Sequence, residues 1–276
     1  MIPSILISKE VIPLPNSYTT DVLTDAQLDF MARFLPEPFS YTGRPAYTNR
    51  QLLPGILKLL RSGCRWRDLS LPDYPSGVTY WRRLRFWEEK GIFRKTFYRL
   101  LDLLIMGKQL DCSVVSIDGT LIPSYEFKEV TGYSGKHRLV GVKVSVLVDK
   151  HGIPLSFSYA PGNYHDQILS YPTLKNCYTV PKQLRSLANI GFQGRRSLLA
   201  DRGYDSLYFR RFANIQGYDP HIPSRVCVSK EKSEDPLYRV DATLYKKRNV
   251  IERTSVSHLL HEAFLGMRSV LFLAKR

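Results

Sequence analysis

Residues 141–159 read GVKVSVLVDKHGIPLSFSY, a pattern typical of a β-hairpin. Gly141 to Asp149 alternates as a strand does, His151-Gly152 supplies a turn, and Ile153 to Tyr159 returns as the partner strand. Upstream, Val114 to Asp118 predicts a further short apolar strand. We therefore expect a sheet that begins with three antiparallel strands.

The segments after this hairpin alternate between helix and strand. We predict a helix at His165–Asn176, a strand at Ser197–Asp201, a helix at Ser206–Gln216, a brief strand at Pro220–Ile222 and a helix from Lys247 onward. The order β-β-β-α-β-α-β-α is that of a ribonuclease H-like α/β domain, in which antiparallel strands adjoin parallel ones and helices cover both faces.

Basic residues outnumber acidic ones, with 40 Lys and Arg against 25 Asp and Glu, so the formal net charge is +15. Such an excess favours a polyanionic partner, and nucleic acid is the first candidate. Between Arg44 and Arg99 the basic residues are interleaved with aromatic ones, a mixture suited to packing on one face and phosphate contact on the other. The candidate DNA-binding residues here are Arg65, Arg67, Arg82, Arg83 and Arg85.

The same N-terminal region has helical periodicity. Helices are predicted from Thr24 to the prolines at 36 and 38, from Thr48 or Asn49 to Ser62, at Val78–Glu89 and at Phe93–Ile105, with a short element at Arg67–Leu69. The short element, the turn at Pro72–Gly77 and the Arg-rich helix suggest a helix-turn-helix, and a helical bundle with a basic surface is the alternative. We thus predict an extended arm at 1–20, an all-α helix-turn-helix-like DNA-binding domain at 21–107, and a ribonuclease H-like catalytic domain at 108–276.

Several other classes of protein lack support in the sequence. No apolar run approaches membrane-spanning length, and the N-terminus is a poor signal peptide, so we expect a cytoplasmic, nucleoid-associated bacterial protein without membrane contact. The four cysteines are scattered and form no CxxC pair, which argues against a zinc site or a disulfide framework. No glycine-rich phosphate loop is present, so no nucleotide cofactor is expected.

Three acidic residues stand where metal chemistry could use them. Asp118 and Asp201 end two predicted strands, and Glu252 lies in the last predicted helix. Sites in open α/β sheets form at the carboxyl ends of adjacent strands, so Asp118 and Asp201 are expected to meet there. Clustered carboxylates suit two Mg²⁺ or Mn²⁺ ions, which catalyse phosphoryl transfer. Taken singly, each acid has an ordinary alternative as a turn residue, a loop ion pair or a solvated helix carboxylate.

Polar neighbours accompany these acids. Tyr245, Arg248 and Glu252 fall at offsets of three and four, hence on one helical face, where Arg248 could contact phosphate and Tyr245 could stack or donate. A surface Arg–Glu pair is the alternative. Arg253 follows as a further DNA-binding candidate. The possible active-site neighbours are His165, Asp166 and Tyr204, and for His165-Asp166 a helix start is the alternative.

Motifs over most of the chain resemble the DDE transposases of the IS4 and IS5 insertion-sequence group, most closely the IS5-like branch. They are GCRWRDL at 63–69, WRR at 81–83, SIDGT at 116–120, GNYHD at 162–166, LADRGYD at 199–205 and RNVIERT at 248–254. The resemblance implies that Asp118, Asp201 and Glu252 take the three metal-binding positions, and that Tyr245 and Arg248 belong to the Tyr-Arg-Glu-Lys signature. It further implies a homo-oligomer that binds double-stranded DNA at terminal inverted repeats, cleaves it and joins the strands to target DNA.

One position departs from the family pattern. The basic residue of the signature should follow Glu252 by seven positions, where this chain has Leu259, and the chain ends early at Arg276. The alternative hypothesis is therefore a decayed or truncated relative that acts only as a DNA-binding protein. A ribonuclease H-like nuclease without strand joining is a third possibility.

Overall fold

A computed structural model describes residues 25–37, 46–62, 64–69, 75–123, 131–184, 194–225 and 235–253, and for Glu252 and Arg253 it describes the backbone alone. The predicted arm at 1–20 and the departure at Leu259 lie outside these residues. The described residues form two compact units that divide between Phe97 and Tyr98. The sequence places the domain boundary after Gly107. The structural division falls inside a helix, so no turn residue marks it in the sequence.

The secondary structure described in the first unit is helical. Its elements are α1 (Asp25–Ala32), α2 (Asn49–Ser62), a 3-10 turn (Trp66–Leu69), α3 (Gly77–Glu89) and the start of α4 (Ile92–Met106). The apolar spacing of α2 buries Leu52 and Ile56 against Tyr80, Leu84 and Trp87 of α3 in one core. The predicted helices are confirmed, whereas the short element is a single 3-10 turn.

The second unit is built on one mixed sheet. Its strands are β1 (Val114–Pro123), β2 (Gly132–Ser134), β3 (Leu139–Val148), β4 (Pro154–Pro161), β5 (Arg196–Leu199) and β6 (Tyr218–His221). β3 pairs antiparallel with β1, β4 and the short β2, while β1, β5 and β6 pair in parallel. The three antiparallel strands predicted from the sequence are confirmed, and the order β4-β3-β1-β5-β6 fits a ribonuclease H-like sheet.

Helices complete this unit. α5 (Asp166–Lys175) packs on β3 and β4, and α6 (Leu207–Ile215) packs on β6. The chain then forms α7 (Ala242–Tyr245), a 3-10 turn (Lys246–Arg248) and α8 (Asn249–Arg253), and α8 lies against β1. Within the described ranges, no helix has the length and apolar character needed to cross a membrane.

Strand boundaries differ from the sequence prediction at β1, β5 and β6. β5 ends at Leu199, so Asp201 follows the strand by two residues and is not its last residue. β1 continues to Pro123 because β3 pairs with it as far as Gly141, a long-range pairing that local sequence does not reveal. β6 begins at Tyr218 and includes Pro220, whereas Pro220–Ile222 was predicted. The parallel pairing with β5 sets its position, with Arg196 opposite Tyr218.

Candidate active site

The parallel pairing of β1 with β5 places Asp118 and Asp201 at the same height along the strand direction. β1 and β5 pair in parallel only as far as Ser116 and Leu199, and beyond this pair the two strands part. Asp118 and Asp201 are each the second residue after it. Both carboxylates therefore lie at the carboxyl edge of the parallel strands, where open α/β sheets form their sites.

The strand position of Asp118 itself corrects the sequence prediction. Asp118 lies inside β1 rather than at its end, because β1 continues its antiparallel pairing with β3 after it leaves β5. Gly119 is opposite Ser145 in that ladder. The alternative in which Asp118-Gly119 forms a hairpin turn is therefore wrong.

The surroundings of Asp118 favour the protonated form of its carboxyl over the charged form. Burial raises the pKa of this carboxyl, and the negative charges of Asp201 and Asp166 raise it further. Two groups oppose this effect: the Gly119 N–H donates to Oδ1 at 2.8 Å, and Nη1 of Arg248 lies 3.9 Å from Oδ2. The net shift of the pKa is upward, because burial outweighs these two contacts.

Asp201 and Tyr204 belong to one short turn. The Asp201 carboxylate accepts the Gly203 N–H at 2.7 Å and caps the 3-10 turn Arg202–Tyr204. Tyr204 is buried, and its hydroxyl has no hydrogen-bond partner among the described residues. Burial raises the pKa of Tyr204 well above its usual value, and the charges of Asp118, Asp166 and Asp201 act in the same direction. The turn thus holds a neutral phenol beside the acidic residues.

Asp166, at the first position of α5, approaches the backbone of β1 at Gly119, on the same side as the Tyr204 hydroxyl. Nζ of Lys143, a buried β3 residue, lies 3.0 Å from its Oδ1 and donates to the Tyr164 carbonyl at 2.8 Å. The contact with Asp166 is an ion pair rather than a directed hydrogen bond. His165 is exposed and caps α5, its Nδ1 accepting the Gln167 N–H at 3.2 Å. The structure thus brings Asp166 to the site and uses His165 as a helix cap.

The segment that carries Tyr245, Arg248 and Glu252 is helical but not one regular α-helix. The 3-10 turn Lys246–Arg248 interrupts the helix, and a 3-10 turn winds more tightly than an α-helix. Offsets of three and four residues therefore do not establish that Tyr245, Arg248 and Glu252 share one helical face. Arg248 is largely buried near Asp118, and Tyr245 is half-buried. Ile251 is buried, and α8 packs on β1, so the backbone of Glu252 lies beside the strand of Asp118.

No group of three His, Cys, Asp or Glu side chains in the described part of the chain could hold a metal ion. The third predicted ligand, the Glu252 carboxylate, lies outside that part. The two described acids, Asp118 and Asp201, supply oxygen donors of the kind that Mg²⁺ and Mn²⁺ prefer.

The sequence did not predict a hydrogen-bond network around Asp205, next to the turn that follows Asp201. Asp205 accepts from Arg210 at 2.7 Å, from the Arg225 N–H at 2.8 Å and from the Ser224 hydroxyl at 3.2 Å. The Arg225 side chain donates to the carbonyls of Arg202 and Gly203 at 2.6 and 2.7 Å. The network therefore ties the turn after Asp201 to the chain that follows β6.

The sequence did contain a signal for two residues that were not predicted, Arg210 of this network and Lys143 beside Asp166. Arg210 is fully buried and also donates to the carbonyls of Ile222 and Leu237, and it shares a face of α6 with buried Ala213. Lys143 is the one charged residue within the apolar strand 141–148. A lone charge at a buried position is a sign of an internal ion pair.

The predicted DNA-binding arginines of the first unit divide into two groups. Arg65, Arg67 and Arg82 are exposed, with Arg65 paired to Asp68 at 3.1 Å. Arg85 pairs with Glu89 at 3.1 Å, and its guanidinium lies 5.4 Å from the Trp81 ring centre.

Arg83 instead points inward. It donates to the Asn49 side chain at 2.5 Å and to the Tyr47 carbonyl at 3.1 Å, so its guanidinium joins α3 to the start of α2. Helical spacing puts it beside the buried face, a position that its charge alone did not indicate.

Two family models match the chain. Residues 23–97 match the family described as "Putative transposase of IS4/5 family", and residues 110–256 match the "Transposase DDE domain". The second match includes Asp118, Asp201 and Glu252, and neither match gives a sign of catalytic decay.

Individual relatives are similar over shorter stretches. The insertion element IS402 uncharacterized 16.2 kDa protein of Burkholderia cepacia is 42% identical over 81 residues, 29% of this chain and 55% of that protein. The uncharacterized protein y4sN of Sinorhizobium fredii is 30% identical over 108 residues, 38% of this chain and 79% of that protein. The chain thus spans about half the length of the IS402 relative.

Among solved structures, the chain is similar to the Mos1 mariner paired end complex with Mn, at 13% identity and a TM-score of 0.27 over 90% of each chain. A pre-cleavage Mos1 transpososome gives 13% identity and a TM-score of 0.28, over 91% of this chain and 90% of that one.

Proposed function

Because this chain belongs to the IS4/IS5 transposase family and carries its DDE domain, we propose that it binds the terminal inverted repeats of an insertion sequence, cleaves the DNA there and joins the strands to target DNA. The observation that carries this proposal is the pairing of Asp118 and Asp201 at one level, with α8 against β1. A ribonuclease H-like domain uses that edge of the sheet for its chemistry.

The donor set fits a divalent metal. The charge of Asp201 raises the pKa of Asp118, so a cation bound by both carboxylates would offset this repulsion. Asp118, Asp201 and Glu252 would hold two Mg²⁺ or Mn²⁺ ions. Such ions supply activation of a water or 3′-hydroxyl and stabilisation of the leaving oxygen.

The chain's own residues position the DNA strand. Arg248, 3.9 Å from Asp118, can donate to a phosphate oxygen at the site and orient the DNA strand toward the carboxylates. Tyr245 and Arg253 belong to the same helical segment and would extend that contact. The Tyr204 phenol is neutral, and Asp166 forms an ion pair with Lys143 at 3.0 Å, which offsets part of the negative charge of the cluster.

The first unit would supply binding to the terminal repeat. Arg65, Arg67, Arg82 and Arg85 remain accessible to a phosphate backbone, whereas Arg83 has a structural role. In this proposal the 3-10 turn Trp66–Leu69 and α3 would serve as the two elements of a helix-turn-helix, and α3 would enter the DNA groove. Pairing two transposon ends would require a homo-oligomer.

Nicking of labelled DNA that carries the flanking repeats tests this function. Wild type is expected to cut only with Mg²⁺ or Mn²⁺, and Asp118→Ala, Asp201→Ala and Glu252→Ala should each abolish cutting while repeat binding persists. Asp219→Ala is the matched control, because its carboxylate pairs with Arg195 and is half-exposed.

Strand joining on pre-cut ends separates a transposase from a nuclease. If wild type cuts but never joins strands, the nuclease alternative replaces the proposal. If it binds the repeats and never cuts, it is a DNA-binding relative.

A further inference from the structure

The catalytic unit carries a basic turn between β2 and β3, formed by Gly135–Arg138. All four residues are exposed, and three of them in succession, Lys136, His137 and Arg138, have basic side chains. Within the residues that the structure describes, no carboxylate lies at ion-pair distance from these side chains, unlike Lys150, which pairs with Asp111 at 2.9 Å. The basic turn therefore presents charge that the described fold does not use.

The backbone of the basic turn holds a cation at a costly position. Arg138 has a φ of +54°, in the left-handed region that favours glycine, and its N–H donates to the Ser134 carbonyl at 2.7 Å to close the turn. Glycine would fit this position with less strain. A strained position occupied by an exposed arginine points to a role outside the fold.

The basic turn lies beyond the acids in the direction in which β1 runs. β3 runs antiparallel to β1, so its first residue, Leu139, is at the carboxyl edge of β1, and Asp118 is opposite Val146. The seven steps from Val146 to Leu139 span about 24 Å, at roughly 3.4 Å per residue in an antiparallel strand. A duplex that lay along β3 would span this distance with about seven base pairs, at roughly 3.4 Å each.

Side chains beside the basic turn suit a nucleic-acid backbone. Tyr133 is 59% exposed and Leu139 is 37% exposed, so an aromatic and an aliphatic group flank the three basic residues. Phosphate contacts of proteins use basic side chains together with Tyr hydroxyls. We propose that the basic turn binds the phosphate backbone of the transposon-end DNA about seven base pairs from the scissile phosphate. This inference rests on the proposed function and adds a contact outside both the active site and the first unit.

The two ends of β3 provide a matched experiment. The turn at the far end, Asp149–Ile153, also carries an exposed Lys-His pair, Lys150 and His151. Lys136→Ala/His137→Ala should weaken binding of the end duplex at pH 8 and reduce the slope of log Kd against log salt by about one. Lys150→Ala/His151→Ala should leave both quantities unchanged. Hydroxyl-radical footprints should lose protection about seven base pairs from the cut only in the first variant.

Arg138→Gly separates a DNA contact from a structural role. Because glycine relieves the left-handed strain, the Tm should stay level or rise while DNA binding weakens. A structural role would instead lower the Tm and leave the salt slope unchanged, which would overturn the inference.

The footprint is made without Mg²⁺ or Mn²⁺, so it does not depend on cutting. If wild type cuts the end but the Lys136/His137 variant keeps its slope and footprint, the inference is wrong and the proposed function stands. Equal effects of the two Lys-His variants would also overturn it. A wild type that binds without cutting, yet loses the footprint in this variant, would support the contact and refute the catalytic proposal.

Discussion

Gly119 shows how tightly single residues define the neighbourhood of Asp118. A Cβ at this position would lie 2.8 Å from Oδ1 of Asp166 and 3.4 Å from the Tyr204 hydroxyl. Asp166 cannot easily withdraw, because Lys143 holds the same oxygen at 3.0 Å. The residue after Asp118 therefore has to lack a side chain, since α5 and the turn of Tyr204 approach the strand from that side.

Gly119→Ala is expected to lower the free energy of unfolding by about 1–3 kcal/mol, as overpacking of a closely packed site does. Cutting should fall as well, because Asp118 is the neighbouring residue. Urea denaturation measures the stability, with Gly135→Ala as the control, since a Cβ there meets no atom within 4 Å. Equal stability of the two variants would contradict the close packing described for Gly119.

Asp205 gives a prediction about pH. Burial alone would raise the pKa of this carboxyl, but hydrogen bonds from the Arg225 N–H, Arg210 and Ser224 outweigh burial and hold the pKa below its usual value. A lowered folded-state pKa adds stability above the unfolded-state pKa, near roughly 3.9, and this stability is lost as the pH falls through the folded-state pKa.

Asp205→Asn should therefore cost about 3 kcal/mol of unfolding free energy at pH 7, as the loss of one partner of a buried ion pair does. The difference from wild type should shrink as the pH falls below about 4, where the wild-type carboxyl also becomes protonated. Urea titrations of both proteins at several pH values measure it. A difference that stays constant with pH would exclude the charged carboxylate as its source.

Helix α3 shows at the scale of an element that adjacent residues of one type can have opposite roles. Arg82 is exposed, while Arg83 donates to Asn49 and Tyr47 and so fastens α3 to the start of α2. Burial lowers the pKa of Arg83, against the opposing charge of Glu37. The helix thus has one arginine that supports its packing and another that remains available to a ligand.

Substituting each arginine should give opposite results. Arg83→Ala is expected to lower unfolding free energy by about 1–3 kcal/mol because it leaves buried acceptors with fewer donors. Arg82→Ala should change stability by less than about 0.5 kcal/mol and should weaken DNA binding, reducing the salt slope by about one. Thermal unfolding and salt-dependent binding assays measure the two effects. If Arg82→Ala left binding unchanged, α3 would not be the helix that contacts DNA.

The whole molecule carries a net charge of +15, a property of no single site. Basic groups occur in the first unit, around Arg82, and in the second, at the basic turn. A protein that neutralises several phosphates releases counterions, so its affinity falls steeply as salt rises.

Binding of the end duplex should therefore weaken by roughly 10³–10⁵ between 50 and 200 mM salt, as expected for about 6–10 phosphate contacts. Fluorescence anisotropy over this range measures the effect, with a neutral polymer of similar size as the control. An affinity that stays flat with salt would mean that charge does not drive the association.

Local patterns in the sequence determined the elements and the chemistry that they carry. The alternation of residues 141–159, the helical spacing of Leu52 and Ile56 and the order of strands and helices predicted the three antiparallel strands and the helices of the first unit. These features follow from side-chain periodicity over neighbouring residues, so no distant contact is needed to recognise them. The motifs around Asp118, Asp201 and Glu252 predicted the family, which the two family matches show.

Only the tertiary structure decided how these residues meet. The β1–β5 register places Asp118 level with Asp201, and the β1–β3 pairing carries β1 past Asp118 to Pro123. Likewise, only packing shows that Lys143 pairs with Asp166, that Arg210 is internal and that Arg83 faces the core. Strand register and charge burial are set by free energies of contact between segments far apart in the chain, and local sequence carries too little information to fix them.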